Sequence, residues 1–144
     1  ICTDINPFAV SLTRRNIKRN QPLLKGSVEI RQGNLFSILH ENDLFDVIIF
    51  NPPYLPTKKQ EKIGGWFDIA TNGGLDGLRV IKQFIQGLKK HLLRNGRSYF
   101  IFSSLSNRST LELYLKNEEL LSWIVARRMF DDEELDVYCV TPTD

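Results

Sequence analysis

An almost wholly apolar run, Val47-Ile48-Ile49-Phe50, stops abruptly at Asn51-Pro52-Pro53-Tyr54. A short apolar run bounded by turn residues reads as a buried strand. This strand, with Asp46 in front, must end in a rigid polar mouth at the edge of a sheet. Each proline fixes its own φ and holds the residue before it extended, so Asn51 and Pro52 are both positioned in advance. Pro52 and Pro53 have no N–H, which leaves the segment rich in acceptors and poor in donors.

A planar NH2 group has the opposite need, two donors to place. The Asn51 side-chain oxygen and the Pro52 carbonyl can accept one each. Tyr54 can stack on the flat face of the same group, a contact worth roughly 1–3 kcal/mol when the partner is a nucleobase. The lone pair of an amide or aryl amine is delocalised, so the nitrogen is a weak nucleophile. Two acceptors aimed at its hydrogens leave more density on nitrogen and favour the positive charge that develops as it attacks a methyl sulfonium. No strong base is required, because the proton can leave after attack. Asn51, Pro52 and Tyr54 are therefore the candidate catalytic residues, and Asn51 to Tyr54 the candidate substrate-binding segment. The competing reading is a stiff turn, since Asn and Pro are common turn residues.

Apolar strand signals alternate with helical ones, which argues for an α/β fold with a mainly parallel sheet. Ile1 to Thr3 reads as a strand end. Asn6-Pro7 reads as a helix start, with Asn6 as N-cap and Pro7 at the first position. That helix runs to about Asn20, with Ala9, Val10 and Leu12 inward and Arg14, Arg15, Lys18 and Arg19 on a solvated outer face. Ser27 to Arg31 is a short strand, and Phe45 to Phe50 the next. Leu55 to Asp76 is a long connection containing Trp66, of a length that often serves as a lid or a substrate surface. Gly77 to Leu93 is the clearest helix, because Leu78, Ile81, Ile85, Leu88 and Leu92 share one stripe. Asp76 can cap its start and Asn95-Gly96 end it. Arg97 to Ser103 follows as a strand. Ser109-Thr110-Leu111-Glu112 reads as a capping box that opens another helix. Leu120 to Met129 and Leu135 to Val140 read as an antiparallel strand pair.

At 144 residues the chain is one domain at most, and 42% hydrophobic content supports a core. A net charge of +2 is too mild to indicate a nucleic-acid binder. Cys2 and Cys139 make neither a metal-ligand spacing nor a disulfide framework, and two plain cysteines fit a reducing cytoplasm. No stretch is apolar enough to span a membrane and no signal peptide is visible. The first residues read as a strand already under way, so the chain is expected to be the C-terminal part of a larger domain.

Ligands of open α/β sheets bind beyond the carboxyl ends of the strands. Asp4 lies at such an end, where a carboxylate can accept from two ribose hydroxyls, or else cap the helix at Pro7. Asn34, after the next strand, stands either against an adenine edge or in a turn. Asp4, Asn34 and Asn51 close three successive strands and are expected to line one edge.

Together these residues resemble the class I S-adenosylmethionine-dependent methyltransferases. Asp4-Ile5-Asn6-Pro7 is similar to the ribose-binding strand end of that class. Gly33-Asn34-Leu35 is similar to its adenine-contacting segment, with Asn where Asp is usual. The resemblance thus implies S-adenosylmethionine as cofactor, bound by Asp4, Asn34, Leu35 and Asn51. Asn51 to Tyr54 matches the signature for methylation of planar nitrogen. The HemK family, which methylates a glutamine side chain of translation release factors, resembles the chain further. Gly73-Gly74-Leu75-Asp76-Gly77 is similar to its approach to the next helix, and Ser103-Ser104-Leu105 and Phe130 to Leu135 to its short archaeal and eukaryotic branch. This implies N5-methylation of glutamine, a release factor as protein substrate, and a small zinc-binding activator protein as partner. The glycine-rich loop of that class, expected after its first, central strand, is absent from the sequence, so this piece alone is expected to bind the cofactor poorly. The alternatives are methylation of an adenine or guanine amino group, since the same geometry serves a flipped base, and a non-catalytic scaffold.

Overall fold

The computed structural model describes residues 1–143. They form two compact units, Ile1–His40 and the remainder from Glu41 onward.

In the first unit, strand β1 (Cys2–Asp4) pairs in parallel with β2 (Ile30–Gln32), Asp4 standing opposite Gln32. Helix α1 (Pro7–Asn20) makes the crossover between them. It starts as its sequence requires. Asn6 is extended, Pro7 takes the first position, and the Asn6 side-chain oxygen accepts from the Phe8 amide at 2.9 Å. Val10 is buried and Ala9 half-buried. Leu12, expected to face inward, is 54% exposed, because a residue two positions from Val10 lies on the far side of a helix. β2 begins at Ile30 rather than Ser27, since β1 offers only three residues to pair with.

The second unit holds a four-stranded sheet in the order β3-β4-β6-β5. β3 (Phe45–Phe50) has the bounds read from its apolar run and lies parallel to β4 (Leu92–Ser103). β5 (Leu120–Met129) forms the edge, and β6 (Glu134–Pro142) returns antiparallel into the gap between β4 and β5. The expected antiparallel pair is therefore present, with β6 inside the sheet.

Helix α3 (Arg79–His91) carries the predicted stripe, and Leu78, Ile81, Ile85, Leu88 and Leu92 are all buried. It is shorter than its periodicity suggests. Asn95-Gly96 does not end it but lies within β4, where the register against β3 slips between Phe45 and Val47. Asp76 does not cap this helix: the N-cap is Leu78, with no side-chain cap bond, and the Asp76 carboxylate instead accepts from the Leu78 amide at 3.0 Å in the turn just before it. Helix α4 (Arg108–Asn117) is capped by Asn107, whose oxygen accepts from the Thr110 amide at 2.9 Å. Ser109 falls inside the helix, because Asn107 is an equally good cap two residues earlier.

The connection from Leu55 to Asp76 is more ordered than its composition implies. It contains a 3-10 turn (Lys59–Glu61) and helix α2 (Gly65–Thr71), which carries Trp66. Gly64 has no side chain to cap α2. The Asp68 carboxylate instead accepts from the Ile63 and Gly64 amides, at 3.1 and 2.9 Å.

A line of aromatic rings runs through the core. Phe50 lies 4.7 Å from Phe84, Phe84 6.3 Å from Phe100, and Phe100 stacks on Tyr138 at 5.5 Å. Phe50 immediately precedes Asn51, so this ladder anchors the strand end beneath the polar mouth.

Candidate functional site

Asn51 to Tyr54 leave the carboxyl end of β3 in irregular, extended backbone, as two successive prolines dictate. Pro52 is buried, Pro53 and Tyr54 half-buried, and Asn51 exposed. Among the described residues, nothing hydrogen-bonds the Asn51 side chain or the Pro52 carbonyl. The acceptors read from the sequence are thus both open. They border a cavity of about 190 Å³ lined by Asn51, Pro52, Tyr54, Leu55, Ala70 and Thr71.

The backbone just beyond is tied down. Leu55 N–H donates to the Thr71 carbonyl at 3.0 Å, and the Leu55 carbonyl accepts from Gly73 N–H at 2.8 Å. Thr57 N–H donates to the Gly74 carbonyl at 2.8 Å. The connection therefore folds back and forms one wall of the mouth. A larger cavity of about 670 Å³ lies beside Thr57, Lys58, Lys62, Asn72, Leu75 and Arg79.

Two residues of this region escape sequence reasoning. Ser106, 52 positions from its partner, donates its hydroxyl to the Tyr54 carbonyl at 2.7 Å. Glu133 acts on Tyr54 through its charge. Burial first, and then the Glu133 carboxylate, push the Tyr54 phenol above its ordinary value, so it stays protonated at neutral pH. Glu133 also accepts from the Ser103 hydroxyl at 2.6 Å. The nearest signal in the sequence is the glycine pattern at 73–77. Gly77 has φ +72°, and a Cβ there would run into the Ser106 hydroxyl and stand 2.6 Å from the Tyr54 carbonyl oxygen. Gly77→Ala is expected to lower stability by about 2 kcal/mol and Tm by several degrees, in a thermal melt read against wild type.

Of the candidate cofactor residues, Asp4, Asn34 and Leu35 lie in the first unit and Asn51 in the second. Asp4 and Asn34 are exposed beyond the carboxyl ends of β1 and β2, and the parallel register puts both on one edge of that sheet. One Asp4 oxygen accepts from the Asn6 amide at 2.8 Å, so Asp4 supports the start of α1 and keeps its other oxygen open. The Asn34 carbonyl accepts from the Ser37 amide and hydroxyl, at 3.0 and 2.7 Å, which makes this segment a turn as well. Its side-chain amide has no partner among the described residues. Leu35 has φ +49°, a left-handed conformation rare for a residue with a Cβ. Such strain costs on the order of 1–3 kcal/mol and clusters at ligand clamps.

Among the described residues no group of three or more His, Cys, Asp or Glu could hold a metal ion, and no helix is long and apolar enough to cross a membrane.

A mixed sheet with a returning antiparallel strand, and a polar mouth at the carboxyl end of β3, define a class I methyltransferase fold. The chain has that fold and is similar in sequence to proteins of that class. Residues 1–67 match the family described as "Methyltransferase small domain". Among its relatives is the "Putative protein N5-glutamine methyltransferase MJ0928" of Methanocaldococcus jannaschii, 37% identical over 134 residues, covering 93% of this chain and 65% of that protein. "Methyltransferase HEMK2" of Homo sapiens is 27% identical, over 95% of this chain and 63% of that protein. The chain thus spans just under two thirds of these relatives' lengths. Among solved structures, the Mtq2–Trm112 complex of E. cuniculi, described as responsible for methylation of the eRF1 translation termination factor, superposes with a TM-score of 0.60. It is 19% identical, over 92% of this chain and 78% of that one, a likeness of fold.

Proposed function

We propose that the chain is part of an S-adenosylmethionine-dependent N-methyltransferase that methylates N5 of a glutamine in a translation release factor. The observation that carries this reading is the pair of open acceptors, the Asn51 amide oxygen and the Pro52 carbonyl, on a segment braced on its far side. The names of the relatives, which include "Release factor glutamine methyltransferase" of Aquifex aeolicus, support the choice of a glutamine over a base.

The roles follow from the chemistry of each group. Asn51 and Pro52 take the two hydrogens of the substrate amide and turn its nitrogen lone pair outward. Tyr54, uncharged at neutral pH, packs against the flat face of the amide without adding a competing charge. When bound, the cofactor supplies an electrophilic methyl group. The open Asp4 oxygen suits ribose hydroxyls, and the open Asn34 amide oxygen suits the adenine amino group, since both ligand groups are donors. The two compact units are then parts of one catalytic domain, and a cytoplasmic location follows from the substrate. The complex described for the E. cuniculi neighbour supports a small activator partner, which we take to bind zinc.

The test is to mix the full-length enzyme, release factor and methyl-labelled cofactor. Label is expected on wild-type factor and not on a factor whose acceptor glutamine is alanine. An unlabelled wild-type factor, with or without an activator, sinks the reading. Label on RNA or DNA instead, weakening steeply with salt, establishes the nucleic-acid alternative.

A further inference from the structure

We propose that Ser106 is a positioning residue for the acceptor mouth, acting through the Tyr54 carbonyl; the inference rests on the reading of Asn51 to Tyr54 as the acceptor site. The segment Asn51 to Leu55 carries five backbone carbonyls that face different fates. Two prolines remove its donors, so no N–H of its own can hold the middle of the segment. The Pro52 carbonyl is open and the Leu55 carbonyl is fixed by Gly73 N–H. Between them, the Tyr54 carbonyl would be free to compete for a donor from the substrate. The Ser106 hydroxyl occupies it, at 2.7 Å.

The donor is itself held. Ser106 is buried, its N–H donates to the Ser103 carbonyl at 3.0 Å, and the next residue, Asn107, donates its N–H to the Asp76 carbonyl at 3.3 Å. Gly77 lies directly against the Ser106 side chain and the Tyr54 carbonyl, and only a residue without a Cβ leaves room for the contact. A buried hydroxyl gripped from two sides loses little entropy in making its bond, so the bond fixes the peptide plane rather than following it. Fixing the plane after Tyr54 sets where its ring stands and which carbonyl the substrate amide meets. Misplacement of about 1 Å at such a site is enough to slow a reaction by roughly 100-fold.

The experiment uses the full-length enzyme with its release-factor substrate and compares Ser106→Ala and Ser106→Cys with wild type. Cysteine keeps the shape and donates only weakly. Both variants are expected to lose at least tenfold in kcat, while substrate KM, cofactor Kd by calorimetry and Tm stay close to wild type. A residue that merely supports the fold would move Tm and cofactor affinity along with activity. The proposal is overturned if either variant keeps kcat within twofold, or if kcat and cofactor affinity fall together. Hydrogen exchange at the Leu55 and Thr57 amides gives a readout that needs no turnover. Exchange at least fivefold faster in Ser106→Ala supports the positioning role even if wild type fails to methylate a release factor, and unchanged exchange overturns it.

Discussion

Asn51→Ala is expected to slow methyl transfer by roughly 10²–10³-fold while leaving cofactor affinity and stability nearly unchanged. The size follows from removing one of two fixed acceptors, at the point where positive charge develops on the attacking nitrogen. The selectivity follows from the surroundings. Asn51 is exposed, and nothing among the described residues bonds its side chain, so truncation leaves no buried group unsatisfied. Surface substitutions of this kind usually change stability by less than about 0.5 kcal/mol. Pro52 still fixes the backbone, so the Pro52 carbonyl keeps its place. Asn51→Gln retains the amide but pushes it out by one methylene, and it too should be slow, because the site works by position. Single-turnover rates and calorimetric cofactor binding separate the outcomes. Equal loss of transfer and of cofactor affinity would make Asn51 a structural residue and remove its assigned role.

Asp136→Asn should be the most damaging polar substitution in the core, lowering stability by about 3–5 kcal/mol at neutral pH. Asp136 is fully buried on β6. It accepts from Arg127 Nε at 2.7 Å and is paired with Arg108 Nη1 at 2.7 Å. Arg108 also donates to Glu134 and to the Tyr138 hydroxyl, each at 2.9 Å, and its guanidinium lies 5.1 Å from the centre of the Phe102 ring. Burial pushes the Asp136 carboxyl up, but the two arginines outweigh it and hold the group below its ordinary value. A carboxyl whose folded value is depressed contributes stability that is present above its unfolded value, about 3.9, and lost as pH falls through the folded value. Wild type should therefore lose this contribution below about pH 4, and Asp136→Asn should lose it at every pH. Denaturant melts at pH 7 and pH 3 check this. Equal midpoints for the two proteins at pH 7 would show that the cluster adds nothing. The effect should reach the acceptor mouth. Beside Asp136, Glu134 N–H donates to Ser104 and Glu133 accepts from Ser103, at the end of β4 that leads to Ser106.

The legible parts of this protein share a cause. The bounds of β3 and β5, the stripe of α3 and the Asn6 cap rest on local patterning, which a short window of sequence contains. Readings that failed were decided by a partner elsewhere. β2 is short because β1 is short, and Asn95-Gly96 was drawn into β4 by pairing next to β3. Leu12 fell outside the buried stripe set by Val10. The order within the connection from Leu55 was not legible because its stabilising bonds run to Thr71, Gly73 and Gly74, not to near neighbours.

By itself, then, the sequence determined where a strand must stop and that Asn51 and Pro52 follow it in fixed, extended backbone. Proline imposes that covalently, whatever surrounds it. Only the tertiary structure decided which acceptors stay open and which are spent. That choice depends on Ser106 reaching Tyr54 across 52 positions, and on Gly77 leaving room for it. Hydrogen bonds between distant residues exist only once the sheet and its helices have packed, so no local pattern can encode them.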